Sequence, residues 1–223
     1  MNLKKIIEFI SFKIVSPFNW GRIKFLFTGR EFNLLPRDRE YARKLMQKSN
    51  YIWLSRRRTH LTSYLISFSD WMLQVKHWVK IGFKGSIPRW GYWTHAFINK
   101  DDNEFIEAIS EGVKESFFDT VLNCDAIVCL EPSAISSVEW VEISKKVVER
   151  AKLQEGKKYD AVFNIKDSSE ESCIEMVRES LKAIPNYESK FMDFERSIKI
   201  YNNLTPQMLY DSSSFKIIWE IRR

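Results

Sequence analysis

The sequence contains few of the residues that break or cross-link a chain. Its 223 residues include 7 glycines, 6 prolines and 3 cysteines. So little glycine and proline excludes collagen-like and linker-rich proteins. Cys124, Cys129 and Cys173 are an odd number of thiols and cannot all pair within the chain, so we expect a reducing compartment. No apolar run reaches the about 18 residues that predict a transmembrane helix. We therefore expect a globular protein that is cytoplasmic or peripheral to a membrane.

The composition is typical of one main folded domain with a basic surface. Hydrophobic residues make up 44% of the chain and aromatic residues 14%, which is enough for a single substantial core. The net charge is +6, from 35 lysines and arginines against 29 acidic residues. This excess favours either weak affinity for anionic surfaces or a solvated basic face. The sequence has no zinc-ligand spacing and no helix-turn-helix pattern, so we do not expect it to bind nucleic acid.

The N-terminal segment MNLKKIIEFISFKIVSPF begins like a signal peptide, but Glu8 and Lys13 interrupt its apolar run. Because no small-residue cleavage site follows, we do not expect a cleavable signal. The apolar residues of this segment recur at helical spacing, which predicts a short helix that either lies on a membrane surface or docks on the protein's own core. We predict that residues 1–48 form a helical, basic and apolar extension and that residues 49–223 form the main domain.

The order of the predicted elements is that of an α+β protein. RDREYARKLMQKSN predicts a polar helix, and YIWL predicts a strand. The helix predicted over residues 61–79 has apolar residues in steps of four and three, so we expect it to pack into the core. YWTHAFI, EFIEAIS, GVKESFF and DAIVCLE predict an antiparallel meander. A capping box at Ser136 and Glu139 opens the next helix. A helix over residues 170–183 and a closing strand, FKIIWEI, complete the order.

Cys173 is the first candidate for chemistry because it lies near the start of a predicted helix. The positive end of a helix dipole favours the thiolate, which is the nucleophilic form of cysteine. Glu170 and Glu171, which we place in the first turn, and Glu175 disfavour the thiolate. Helix position therefore does not decide the role of Cys173, and a partner base is needed. Cys124 and Cys129 bracket a strand and are expected to be core residues.

The search for that base is short, because the chain has only 3 histidines. We expect His60 and His77 to have surface or core-edge roles at the predicted 61–79 helix. His95 alternates with aromatic residues on one face of a strand, which is typical either of a core histidine or of a catalytic base. A catalytic base needs an acceptor that orients its ring, and the next strand offers Glu104 and Glu107. Apolar neighbours favour Glu107, since a carboxylate in an apolar strand needs a partner.

The ordered set WTHAFI, FIEAISEGV, YDAVF, SCIEMV and TPQML resembles the permuted NlpC/P60 cysteine peptidase superfamily, and specifically its YiiX/YaeF-like group. The resemblance covers roughly residues 50–220. It implies a permuted papain-like fold, with a small antiparallel sheet or barrel packed against helices that include the nucleophile helix. It also implies that Cys173 is the nucleophile, His95 the base and Glu107 the residue that orients the imidazole. Tyr159 matches the YD pair of the family and is implied to assist at the oxyanion.

The resemblance implies a thiol hydrolase of the amidase, peptidase, lipid acyl hydrolase or acyltransferase type. Such an enzyme forms an acyl-thioester and requires no metal and no organic cofactor. The expected substrate is a peptide amide or a lipid acyl group, and contact with a membrane through the N-terminal segment would suit the second. This chain has Ile174 where the family usually has serine. The alternative is therefore a papain-like module without catalytic activity that serves in binding or at a membrane.

Overall fold

The computed structural model describes residues 34–57, 61–160, 170–201 and 203–222. The helix predicted at the N-terminus, His60 and the second half of the YDAVF motif lie outside the described residues. Within the described ranges, no helix is long and apolar enough to cross a bilayer.

The centre of the described part is a six-stranded antiparallel sheet with the strand order β4-β3-β2-β1-β5-β8. A separate two-stranded parallel ladder joins β6 to β7. The strands are β1 Ile52–Arg56, β2 His95–Asn99, β3 Glu104–Ile109, β4 Gly112–Phe117, β5 Ala126–Pro132, β6 Lys158–Tyr159, β7 Glu170–Glu171 and β8 Phe215–Arg222.

Helices cover this sheet, so the predicted α+β class is confirmed. The helices are α1 Pro36–Met46, α2 Leu61–Lys80, α3 Phe118–Val121, α4 Ser137–Lys152, α5 Cys173–Leu181, α6 Tyr187–Lys190, α7 Met192–Tyr201 and α8 Pro206–Asp211. Helix α4 starts where its capping pattern predicts, because the Ser136 hydroxyl accepts a hydrogen bond of 3.2 Å from the Glu139 backbone N–H. Helices α4 and α5 contact each other and pack against β2 and β3.

The predicted four-strand meander is only partly right. Strands β2, β3 and β4 follow one another as predicted, but β5 pairs with β1 and β8 instead of continuing from β4. Strand β5 is buried along its whole length, which suits an inner position between two neighbours better than the edge position that a meander would give it. Sequence periodicity shows which residues form a strand but not which strand lies beside it.

Helix α1 belongs to the segment that we predict to be an extension. Its Ala42, Leu45 and Met46 are buried in the same hydrophobic core as the sheet. The backbone N–H of Leu34 donates to the carbonyl of Cys124 over 3.2 Å. The division at residue 48 stays a prediction, and the described end of that segment packs on the core of the main domain.

Helix α2 forms where predicted, but the prediction that its apolar stripe packs into the core is wrong. Phe68, Met72 and Val79 are exposed, and the buried side of the helix is polar. On that buried side the Asp70 carboxylate accepts a hydrogen bond of 2.7 Å from the Thr205 hydroxyl. Ser67 accepts one of 3.5 Å from the guanidinium of Arg56 in β1. These polar contacts hold the helix by its hydrophilic face and leave its apolar face outside.

Candidate active site

The nucleophile candidate lies at the first turn of α5, and a capping box determines where that turn begins. The Ser172 hydroxyl accepts a hydrogen bond of 3.3 Å from the Glu175 N–H, and the Glu175 carboxylate accepts one of 2.8 Å from the Ser172 N–H. Cys173 is therefore the first helical residue. The prediction that Glu170 and Glu171 form the first turn is wrong, because both belong to strand β7. Sequence reasoning missed Ser172, although the Ser-x-x-Glu pattern signals it.

Helix α5 presents a strongly apolar side to the sheet. Ile174, Met176, Val177 and Leu181 are all buried, and the helix packs against β2 and β3. Burial of these side chains fixes the first turn of α5 beside β2 and β3, the strands that carry the candidate base and its orienting carboxylate. Cys173 itself has 0% exposure.

Strands β2 and β3 bring the predicted base and its orienter together. Glu107 lies directly opposite Phe97, and Phe97 is two residues beyond His95 on the same face of β2. The imidazole Nε2 of His95 lies 2.6 Å from Oε2 of Glu107. The alternative acceptor, Glu104, instead pairs with Lys100 over 2.5 Å. Of the two glutamates that the sequence leaves open, Glu107 is the one that contacts the ring.

The electrostatics of this pair favour a charged imidazole beside a charged carboxylate. Burial favours the neutral acid of Glu107, but its hydrogen bond with His95 and the charge of His95 outweigh burial. Together with a hydrogen bond from Ser116 and the charge of Arg57, they lower the pKa of Glu107 to about 2. An ionised carboxylate only accepts hydrogen bonds, so Nε2 of His95 is the donor. The ring nitrogen that remains for another partner is Nδ1.

The thiol of Cys173 also interacts with this imidazole. Burial disfavours the charged imidazole of His95, but hydrogen bonds with Cys173 and Glu107 outweigh burial and raise the pKa of His95 to about 9. His95 is therefore a stronger base than an ordinary histidine. The structure thus brings Cys173, His95 and Glu107 into one interacting group, in which the imidazole contacts the carboxylate directly.

The glutamates around Cys173 carry less free negative charge than their number indicates. Glu171 is buried and pairs with Lys157 over 2.6 Å. Burial raises the pKa of Glu171 and of Glu175, more than the hydrogen bonds of each carboxylate lower it. The objection that nearby glutamates disfavour a thiolate is therefore weaker in the folded protein than in the sequence.

Tyr159 lies close to the thiol at the end of β6. Its Cα pairs with that of Glu171 in β7, one residue before the cap of α5. Burial is the main cause that raises the pKa of the Tyr159 phenol well above its usual value, and its interactions with Cys173, Asp160 and Glu175 raise it further. The phenol therefore keeps its proton and remains a hydrogen-bond donor.

Residues far away in the sequence hold the segment that leads into β2, the strand that begins at His95. The side-chain oxygen of Gln207 in α8 accepts hydrogen bonds from the backbone N–H groups of Tyr92, at 2.7 Å, and Trp93, at 3.1 Å. The Thr94 hydroxyl donates to the hydroxyl of Ser63 in α2 over 3.2 Å. Sequence reasoning missed these supports, since contacts between residues 31 to 115 positions apart leave no local signal.

The other candidates that the sequence offers have no comparable partners in the described part of the chain. Burial raises the pKa of Cys124 to about 12 and raises that of Cys129 well above its usual value. His77 packs edge-to-face on Tyr201, with 5.2 Å between the ring centroids. Cys124 and Cys129 are thus core residues, as predicted, and serve as internal standards for an ordinary buried thiol.

Cys173 is fully buried, whereas the side chain of His95 is 21% exposed. A surface cavity of about 680 Å³, lined by residues such as Arg43, Asp101 and Phe118, includes none of the three site residues. Within the described ranges, no group of three or more His, Cys, Asp or Glu side chains is arranged to hold a metal ion.

No protein-family model matches the sequence, and a search of curated proteins found no significant match. Among solved structures, the chain is similar to the metalloprotein yiiX from Escherichia coli O157:H7, with a TM-score of 0.51 and 16% sequence identity. The match covers 78% of this chain and 98% of that one. This chain has a YiiX-like fold. The resemblance predicted from its motifs, and the expectation of a sheet packed against helices, are thereby confirmed at the level of the fold.

Proposed function

We propose that this protein is a cysteine-dependent acyl-transfer enzyme that hydrolyses an amide or ester through an acyl-thioester. The observation that carries the proposal is the 2.6 Å contact between His95 and Glu107, on an imidazole whose pKa is raised by its interaction with Cys173 as well as with Glu107. A nucleophile, a base and a group that orients the base are the parts that thiol hydrolysis requires.

In the proposed reaction, Nδ1 of His95 already holds the proton of the Cys173 thiol, so the reacting form is a thiolate beside a charged imidazole. The sulfur attacks the substrate carbonyl carbon, and the carbonyl oxygen becomes an oxyanion. Collapse of this intermediate breaks the bond to the amine or alcohol, which leaves with the proton from His95. Water then attacks the thioester, with His95 as the base, and releases the acid and the free thiol. Glu107 accepts from Nε2 throughout and keeps the ring in the tautomer that the reaction needs.

The start of α5 supplies the natural place for the oxyanion. The backbone N–H groups of Cys173 and Ile174 have no intrahelical carbonyl partner, because they lie in the first turn. They point towards a substrate at the positive end of the helix dipole. We propose that the protonated phenol of Tyr159 donates a further hydrogen bond to the oxyanion. Ile174 contributes its N–H in this role, so its difference from the serine of the family removes no donor that the oxyanion needs.

The similar Escherichia coli protein is described as a metalloprotein. The described residues of this chain do not fit a metal site, because they contain no group of three or more His, Cys, Asp or Glu side chains that could hold an ion. The proposed reaction therefore uses the thiol, the imidazole and the carboxylate. The two substrate classes that we propose, peptide amides and lipid acyl groups, share this chemistry.

One observation favours a second function, that of a papain-like module without catalysis. Cys173 has 0% exposure, which is typical of a packing residue as well as of a nucleophile in an enzyme that opens on substrate binding. The two functions differ in the reactivity of the thiol.

The test is alkylation of the native protein by iodoacetamide across a pH series, with the sites read by peptide mass spectrometry. The proposal predicts that Cys173 reacts faster than Cys124 and Cys129 at neutral pH, and that His95→Ala removes the difference. His77→Ala is the matched control and leaves the rates unchanged. Equal rates for all three thiols, or a Cys173 rate that does not respond to His95→Ala, would contradict the enzyme function and favour the module.

A further inference from the structure

The outer side of helix α2 is an unusual surface in the described part of the chain. This helix has 20 residues and is therefore about 30 Å long. Tyr64, Phe68, Met72 and Val79 are exposed along one side of it. They recur at steps of four and seven residues, which return to the same side of a helix, so they form one apolar stripe. In a globular protein such a stripe normally faces the core.

The segment after α2 extends this surface. Ile81, Phe83, Ile87 and Trp90 are exposed, and Ile87 reaches 74%. Trp90 lies 6.1 Å from Phe68 between ring centroids, so the segment folds back onto the stripe. We call the exposed apolar residues of 64–90 the outer apolar face. A continuous apolar surface of this kind on a folded chain marks a binding site for a protein or a membrane.

Basic residues alternate in sequence with the residues of the outer apolar face. Lys76, Lys80, Lys84 and Arg89 are all exposed, and none of them forms an ion pair within the described residues. Residues 71–100 contain no aspartate and no glutamate. The combination of apolar side chains with unpaired lysines is the pattern of a helix that lies in the interface of an anionic bilayer.

We propose that the outer apolar face docks the protein on an anionic lipid bilayer. The apolar side chains would enter the region between headgroups and acyl chains, while the lysines would reach the lipid phosphates. Charge argues against the two other occupants that the chain itself offers. A second copy would place two basic faces against each other. Residues 1–33 contain 6 basic and 2 acidic residues, so the lysines and the arginine of the outer apolar face would also repel this segment.

Docking in this way would bring the candidate active site close to the membrane. Trp90 precedes His95 by five residues, which span at most about 17 Å of extended chain. Gln207 fixes the backbone of the intervening Tyr92 and Trp93, so the distance does not depend on a loose connection. The docking surface itself does not rest on the proposed function, because it contains none of Cys173, His95 and Glu107.

The test is co-sedimentation of the full chain with two kinds of vesicle, one of phosphatidylcholine alone and one that also contains phosphatidylserine. We expect binding to the anionic vesicles that weakens with added salt. Ile87→Glu should lower the partition coefficient about tenfold or more. It removes one aliphatic side chain that would be buried in the bilayer, and it adds a negative charge that the anionic lipids repel. Leu153→Glu is the matched control: Leu153 is an exposed apolar residue, at 84%, outside this face. It should leave binding unchanged.

Further variants separate this surface from the alternatives. Cys173→Ala should bind vesicles like the wild type, even if the proposed catalysis fails. Far-ultraviolet circular dichroism of each variant verifies that it is folded. The proposal is overturned if the protein does not bind anionic vesicles or binds both kinds of vesicle equally. It is also overturned if Ile87→Glu and Leu153→Glu lose vesicle binding to the same extent. Loss of binding in an Ile6→Glu/Ile10→Glu double variant of the N-terminal segment, without loss in Ile87→Glu, would overturn it as well. A dimer in solution that Ile87→Glu dissociates would show instead that a second copy covers the face.

Discussion

Replacement of Glu107 by glutamine should weaken His95 as a base without displacing its ring. In the wild type, Nε2 lies 2.6 Å from the Glu107 carboxylate. The oxygen of a glutamine can still accept this hydrogen bond, but the negative charge is lost. An opposite charge at such a distance changes a pKa by about 1 to 3 pH units, which corresponds to about 1.4 to 4 kcal/mol. The pKa of His95, raised to about 9 in the wild type, should therefore fall by that amount in Glu107→Gln.

Nuclear magnetic resonance of the imidazole carbon-bound protons measures this pKa directly. The chain has 3 histidines, so the spectrum is simple, and a His95→Gln variant identifies the signal of interest. Glu104→Gln is the matched control, because Glu104 lies on the same strand but pairs with Lys100. It should leave the His95 titration unchanged. A wild-type midpoint near 6.5, or equal changes in Glu107→Gln and Glu104→Gln, would refute the role given to Glu107.

Three further predictions concern the scaffold. Ser172→Ala removes the hydroxyl that caps α5 and should lower the free energy of unfolding in urea by about 1 kcal/mol; a loss near zero would contradict the cap. Gly112 has φ 106, and a Cβ there would lie 2.4 Å from the Lys157 carbonyl oxygen, so Gly112→Ala should cost more than about 1 kcal/mol, measured by thermal melting; an unchanged midpoint would contradict this. Because the folded pKa of His95 is raised from 6.5 to about 9, its stabilisation is fully present below pH 6.5 and is lost as pH rises through 9. Urea unfolding across pH 6–10 should show this loss in the wild type and not in His95→Phe.

Local patterns in the sequence predict much of the site. The short turn between the strands of His95 and Glu107 predicts that the two strands are neighbours in a hairpin. The apolar neighbours of Glu107 then favour it over Glu104 as the partner of His95. The order of the motifs indicates the fold. These signals work because a strand period, a hairpin and a helix start depend on residues that are close together in the chain.

The features that sequence reasoning missed depend on contacts that lie far apart in the chain. The apolar stripe of α2 has the pattern of a core helix, yet hydrogen bonds from Thr205 and Arg56 hold its polar side inside. Strand β5 follows β4 in sequence but lies between β1 and β8. The support that Gln207 gives to the His95 strand spans more than a hundred residues. Ser172 is different, since its Ser-x-x-Glu capping pattern is local and can be recognised in the sequence.

The central claim is that Cys173 forms an acyl-thioester. Intact mass spectrometry after brief exposure of the native protein to an activated acyl ester tests it most directly. The account predicts one acyl group per chain, located on Cys173, released by hydroxylamine, absent in Cys173→Ala and strongly reduced in His95→Ala. No adduct on the native protein, or acylation of Cys124 and Cys129 to the same extent as Cys173, would contradict it.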